Sequence, residues 1–269
     1  MSFFKKMNIQ EKQKVLLAIM DEIHSFCIKN NIEYYLVGGS LIGAVRHNGF
    51  IPWDDDIDIA FKRKDYDKFI SSFVSQTGDV DVLTLANNKH HKWPYAKASY
   101  NKTICIENKH KKNAIGVNVD LFPLDYVGND INESIKLKNK ISKYQNIIAL
   151  KYLNLSNKRS LLKNLIIIFG KLLYVIPDSI ILKQIFRIVS ENTYDKKTEY
   201  LCNLVGAWGD KEITSSINFD STVLHEFEGR EYLIPVGYHE YLKKLYGKYM
   251  ELPPEEKRCS HHGAIAYWK

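Results

Sequence analysis

The sequence predicts an α/β protein of the α+β kind: a mixed sheet flanked by helices, with an added helical lobe. Three observations carry this. Up to about residue 125, short apolar or alternating runs of strand length interleave with amphipathic helical patterns. Within that region Tyr34 to Phe61, YYLVGGSLIGAVRHNGFIPWDDDIDIAF, packs an apolar run, a Gly-Gly-Ser turn, a helical stretch and an acidic strand into one unit. From 131 to 200 long helical patterns take over and glycine falls to Gly170 alone. The organisation expected is a core at 1–130, a helical lobe at 131–215, and a C-terminal segment at 216–269 that packs back on the core.

Taken in order, residues 8 to 30 read as a helix, because Ile9, Val15, Leu16, Ile19, Met20, Ile23 and Phe26 recur at 3–4 spacing. Asn8 with Glu11 three residues on is a capping box, and Asn30-Asn31 ends the helix. Ile32 to Val37 reads as a strand, the Gly38-Gly39-Ser40 turn follows, and Leu41 to His47 is a short helix. A bend at Gly49 and Pro52 leads to the strand Asp56-Ile57-Asp58-Ile59. Lys62 to Phe73 is helical and Val80 to Leu85 is a strand. Tyr95 to Tyr100 and Thr103 to Glu107 form a hairpin, and Val117 to Asp125 alternates until Pro123. Leu161 to Leu182 is the most apolar stretch, ended or kinked at Pro177. It reads as a buried helix of the lobe, with a basic apolar helix lying on an anionic membrane as the alternative. Phe227 to Ile234 turns around Gly229, and Val236 to Tyr246 is a helix stopped by Gly247.

The chemistry concentrates on the acidic strand. Residues two apart on a strand share a face, so Asp56 and Asp58 point one way while Ile57 and Ile59 enter the core. Two carboxylates held that close both stay ionised only with a cation between them, and hard oxygen ligands suit Mg²⁺ or Mn²⁺. Asp120 lies inside a strand, where a charge is costly unless paired or metal-bound, and is the natural third carboxylate. Asp125, past the proline, reads as structural. Backbone N–H groups at Gly38, Gly39 and Ser40 can hold a phosphate. Arg46 and His47, at the end of the short helix, either reach an anionic substrate or act as partners of the helix dipole.

A net charge of +7 favours an anionic partner, yet no basic block reads as a nucleic-acid arm; the lysines are scattered, as in Asn108 to Asn113. The apolar content of 45% supports a packed core and excludes a disordered chain. Cys27, Cys105, Cys202 and Cys259 form no CxxC pair, which with the lack of an apolar run after the first lysines reads as a cytoplasmic protein with free thiols. Cys259, His261 and His262 have no spacing that supports a zinc site.

The stretch GGSLIGAVRHNGFIPWDDDIDI strongly resembles the LicD family, the phosphocholine transferases of bacterial surface glycans, with fukutin-type ribitol-phosphate transferases as more distant relatives. VNVDLFPLDYV and IPVGYHEYLKKLYGKYMELPPEEKR resemble later segments of the same family, so the likeness touches both ends of the chain and leaves the 131–215 region least diagnostic. The resemblance implies a nucleotidyltransferase-like fold for 1–130, with Asp56, Asp58 and Asp120 as catalytic metal ligands, and a CDP-activated donor, CDP-choline favoured over CDP-ribitol or CDP-glycerol. The phospho-alcohol would pass to a sugar hydroxyl of teichoic acid, lipopolysaccharide or capsule, with release of CMP. Two Mg²⁺ or Mn²⁺ ions fit in-line displacement at phosphorus, and Asp120 can take the acceptor hydroxyl's proton. Gly39 and Ser40 would contact phosphate, with Arg46, His47 and Lys97 complementing its charge. Trp53 reads either as a stacking surface for a base or choline ammonium or as a core residue. The acceptor is either free or lipid-linked; the latter suits a peripheral position at the inner membrane face through 161–182. Two alternatives stand beside this reading: a nucleotidyltransferase modifying a small molecule, protein or RNA, and a non-catalytic binding protein on the same fold. Retention of all three acids argues against the last.

Overall fold

The computed structural model describes residues 4–106, 114–153, 160–259 and 264–269. Helix α1 (Ile9–Asn30) opens the fold, with the predicted capping box in place: the Asn8 side chain accepts from the Glu11 N–H at 2.8 Å, and Glu11 accepts from the Asn8 N–H at 3.0 Å. Its buried stripe of Leu16, Ile19, Met20, Ile23 and Cys27 lies in the main core. Strand β1 (Tyr35–Leu36) is shorter than the sequence suggests, because α2 (Gly38–His47) begins at once and takes Gly38, Gly39 and Ser40 as its first turn. The Gly-Gly-Ser segment is therefore the helix start itself and not a turn before it. Next come β2 (Asp58–Lys62), α3 (Arg63–Ser72), β3 (Val80–Leu83), β4 (Ala96–Tyr100), β5 (Thr103–Ile106) and β6 (Asn118–Gly128). The expected acidic strand starts two residues late, at Asp58, but its alternation holds: Ile57 and Ile59 are fully buried while Asp56 and Asp58 are partly open.

These strands build a mixed sheet in the order β1-β2-β6-β4-β3. Strands β2 and β6 run parallel and the other neighbours antiparallel. The predicted hairpin of β4 and β5 does not form. Both edges of β4 are already taken by β3 and β6, so the turn at Asn101-Lys102 carries β5 off the sheet to pair with β11 (Ile265–Trp268). Strand β6 runs through Pro123, as the strand expected over Val117 to Asp125 does, and goes on to Gly128. The Asp120 N–H donates to Ile57 on the β2 side, so by alternation the position of Pro123 would donate on the opposite side. There β4 has ended at its pairing with Leu121 and β7 begins only at Asp125, so the missing N–H costs no ladder bond.

Residues 131–215 hold α4 (Ile131–Tyr152), α5 (Leu161–Lys171) and α6 (Asp178–Asn192), then β7 (Tyr200–Cys202) and β8 (Ile213–Ser215). The apolar stretch Leu161 to Leu182 is two helices, divided by a 3₁₀ turn at Leu172–Val175 and by Pro177 at the start of α6. The two strands extend the main sheet, since β7 pairs with β6 and β8 with β7. A second core of Ile141, Ile148, Leu182, Ile185, Ile188, Leu204 and Ile213 lies under these helices. Within it, the buried Lys138 ammonium donates to the carbonyls of Leu204 at 3.0 Å and Gly206 at 2.7 Å, fixing the loop after β7. The chain closes with β9 (Thr222–Phe227) and β10 (Arg230–Pro235), joined at Glu228-Gly229 with both φ angles positive, and α7 (Tyr238–Tyr246) ending at Gly247. His261 and His262 lie outside the described residues.

Asp125 is structural, as its position past the proline suggests: it is 1% exposed and accepts two parallel bonds from Arg63, at 2.7 and 2.8 Å. Replacing Arg63 by Met leaves that carboxylate buried and unpaired, and is expected to cost about 3 kcal/mol of unfolding free energy. Denaturant titration measures this; a loss below about 1 kcal/mol contradicts a structural pair, since even a typical single hydrogen bond contributes that much.

Candidate active site

The register of three strands makes the site. Asp58 on β2 is the direct partner of Asp120 on β6, and Lys97 on β4 is the partner of Asp120 from the other side. Register partners present their side chains on one face, so Asp58, Asp120 and Lys97 stand abreast across the sheet. Lys97 is buried, with its ammonium bonded to Asp120 and to Asn118 at 3.1 Å. Tyr95 adds a hydrogen bond to Asp120. The Asp120 side chain is still 17% exposed, so the row opens to solvent.

Helix α2 points its first turn at this row. The Ser40 hydroxyl accepts from the Asp58 N–H at 2.8 Å, and the Val37 N–H donates to the Asp58 carbonyl at 3.1 Å. Gly38 has φ +57°, and a side chain there would stand 3.2 Å from Asp58 Oδ2. At Gly39 it would stand 2.9 Å from Asp54 Oδ2. Glycine at both positions lets the helix start, with its donor N–H groups, approach the acids closely.

The aspartate triplet divides its labour. Asp55 is buried and paired with Lys12 of α1 at 2.6 Å, anchoring the segment to the core. The Gln13 side chain donates to the Asp54 carbonyl at 3.0 Å. Asp54 faces α2, and Asp56 lies close enough to act on Asp58 through its charge. Burial pushes the Asp58 carboxyl well above its ordinary range; the charges of Asp56 and Asp120 push it the same way, and Lys97 opposes them. Burial also raises the Asp120 carboxyl, against the charge and hydrogen bond of Lys97.

The remaining predicted residues lie further out. Arg46 donates to the carbonyls of Tyr249 at 2.6 Å and Glu251 at 3.1 Å, and to His47 at 3.0 Å, so it latches the C-terminal segment onto α2. Trp53 packs partly on the core, with the Arg258 guanidinium 6.0 Å from its ring centre. Sequence reasoning passed over Asp54, Tyr95, Asn118 and Tyr246. Two of these carried a signal: Asn118 stands two residues before Asp120, and Tyr95 two before Lys97, the spacing that shares a strand face. Tyr246, whose hydroxyl would lie 3.6 Å from a Gly38 side chain, is brought in by α7 from far along the chain and had none.

Among the described residues no three His, Cys, Asp or Glu side chains are drawn together as a ready-made metal cage. The donor set nonetheless fits a hard divalent cation: oxygen ligands only, with Asp58 and Asp120 held side by side by strand register and Asp56 close enough to repel Asp58.

A mixed sheet presenting paired carboxylates beside a helix N-terminus is the arrangement of a nucleotidyltransferase-type phosphotransferase. Residues 31–155 match the family model for the LicD/FKTN/FKRP nucleotidyltransferase domain. The chain is 31% identical over 278 aligned residues to the lipopolysaccharide cholinephosphotransferase LicD of Haemophilus influenzae, covering 98% of this chain and 99% of that relative. A shorter match, 30% over 93 residues, joins 34% of the chain to 17% of mouse ribitol 5-phosphate transferase FKRP. An uncharacterised protein of Rickettsia typhi is 45% identical over 62 residues, 23% of this chain and 20% of its own. The chain belongs to the LicD family and is an enzyme of the LicD type.

The row predicts opposite stability effects from Asp58→Asn and Asp120→Asn. Asp58→Asn removes a carboxyl whose ionised form burial and the charges of Asp56 and Asp120 disfavour, and is expected to raise the melting temperature of metal-free protein at neutral pH. Asp120→Asn strands the buried Lys97 ammonium and is expected to cost about 3 kcal/mol. Calorimetry in the presence of a chelator reads both; equal shifts in the same direction contradict the arrangement.

Proposed function

We propose that the protein transfers phosphocholine from CDP-choline to a sugar hydroxyl of a bacterial surface glycan, lipopolysaccharide being favoured by the near full-length relative. The observation that carries this is the row Asp58–Asp120–Lys97 under the start of α2. Asp56, Asp58 and Asp120 are the residues that would hold divalent metal, Mg²⁺ or Mn²⁺, and two ions suit three carboxylates. Metal bound there supplies charge neutralisation on the donor's diphosphate. The N–H groups of Gly38 and Gly39, and the Ser40 hydroxyl proton, orient the phosphates from the helix start. Lys97 holds positive charge against the face on which negative charge grows during displacement. The acceptor oxygen bonds to the choline-bearing phosphorus as the bond from that phosphorus to the CMP oxygen breaks, and the hydroxyl proton passes to Asp120.

Mass analysis of products tests the reaction. Release of CMP, with a glycan heavier by one phosphocholine, is expected. A product that keeps the nucleotide contradicts phospho-alcohol transfer and indicates nucleotidyl transfer. Transfer from CDP-ribitol or CDP-glycerol in preference to CDP-choline contradicts the donor assignment alone.

The surface of α5 supports a peripheral position on a membrane. On one face Ile167 is buried and Gly170 lies against Leu150 of α4, while Leu162, Leu165, Ile166 and Phe169 are exposed. The apolar run continues through Leu172 and Val175, flanked by exposed Lys171 and Lys183. A soluble surface helix turns polar residues outward; this polarity with a basic rim suits an anionic bilayer, where a lipid-linked acceptor resides. The buried-helix expectation thus holds for one face only. Among the described residues no helix is long and apolar enough to cross a membrane. Flotation with phosphatidylglycerol vesicles should recover the wild-type protein, and Phe169→Glu should cut that recovery several-fold; equal recovery of both contradicts docking through α5.

A further inference from the structure

A cleft of about 630 Å³ runs between the sheet and the helical lobe, lined by Trp93, Pro94 and Tyr95 on one side, by α4 from Asn139 to Tyr152 on another, and by the 205–209 loop on the third. It adjoins the acidic row, because Tyr95 lines it and also bonds Asp120. Its aromatic faces already carry cations. The Lys92 ammonium stands 4.9 Å from the centre of the Trp93 ring and 5.1 Å from that of Tyr152. Lys97 stands 4.7 Å from Trp93 and 5.4 Å from Tyr95. These are cation–π distances, with two rings on each ammonium, and ring faces converging on a positive group are what a quaternary ammonium needs, since it cannot donate hydrogen bonds. Lys97 is buried and held by Asp120 and Asn118, whereas Lys92 is partly exposed, on the rim of the cleft.

The geometry points to the space between Trp93 and Tyr152 as the subsite for the donor's quaternary ammonium group, with the Lys92 ammonium standing where that group binds. The inference rests on the phosphocholine reading and deepens it. It assigns Trp93 and Tyr152 to recognition of the alcohol's charge and leaves the phosphates to the acidic row and α2. It also gives the lobe a task, since Tyr152 and the α4 wall come from the lobe while Trp93 and Tyr95 come from the core. Trp53, the aromatic residue that the sequence offered for a choline ammonium, has the Arg258 guanidinium 6.0 Å from its ring centre and serves as the comparison position in the test.

The test compares CDP-choline with its uncharged isostere, CDP-3,3-dimethylbutanol, as donors for the full-length protein. Wild type should prefer the charged donor, and Trp93→Leu should raise KM for CDP-choline by about thirtyfold, the equivalent of a desolvated cation–π contact, with little effect on the isostere. Trp93→Phe should recover most of the preference, which separates a lost ring face from a folding defect. Lys92→Met should lower KM for CDP-choline, because the resident cation no longer competes. The preference surviving Trp93→Leu overturns the assignment, as does a loss seen only with Trp53→Leu or a change confined to KM for the glycan. Calorimetric titration with tetramethylammonium separates this inference from the reaction it rests on. Binding by wild type that Trp93→Leu abolishes supports the subsite even if CDP-choline is not turned over. Turnover of CDP-choline without any such binding overturns the subsite and leaves the reaction standing.

Discussion

The structure depends on a repulsion held in place by register. Parallel pairing of β2 and β6 puts Asp58 and Asp120 side by side, and Asp56 adds a third negative charge. Burial raises both strand carboxyls, so the folded chain carries a cost that water would relieve and the site does not. Lys97 offsets part of it from β4, and the first turn of α2 adds oriented N–H dipoles. A site with more acid than base and a helix start beside it has the charge that the proposed metal and donor phosphates require. That is the chemical content of the assignment to LicD-type transfer.

Much of the rest of the chain keeps this row rigid. The Lys12–Asp55 and Arg63–Asp125 pairs flank it, one fixing the acidic segment to α1 and the other fixing the far end of β6 to α3. Charged residues close in sequence to the site, Asp55 and Asp125, therefore serve structure. Arg46 shows the same use: its guanidinium closes the C-terminal segment onto α2. The lobe that follows β6 is tied back through β7, so its helices and the sheet form the two walls of one cleft.

The mixed sheet, the capped first helix and the acidic strand were legible because each is a local pattern: periodicity, a capping box, and alternation of Asp with Ile. Asp120 was legible as a charge within a strand. The pairing of β5 with β11 was not, because nothing in Thr103 to Ile106 says that both edges of β4 are occupied. Pro123 lies within the expected strand, and β6 tolerates it because no neighbour needs its N–H. The aromatic cluster of Trp93, Tyr95 and Tyr152 joins residues more than fifty positions apart, and only the docking of α4 assembles it. Sequence spacing speaks for residues on one element, and the site uses several.

The central claim is that the acids of β2 and β6 act as one metal-binding, phosphate-receiving centre. Its most direct test is titration of Mn²⁺ followed by electron paramagnetic resonance, on the wild-type protein and on Asp58→Asn, with Asp125→Asn as the structural control. The account predicts Mn²⁺ binding that CDP-choline strengthens, lost in Asp58→Asn and retained in folded Asp125→Asn. Binding that survives Asp58→Asn unchanged would contradict it.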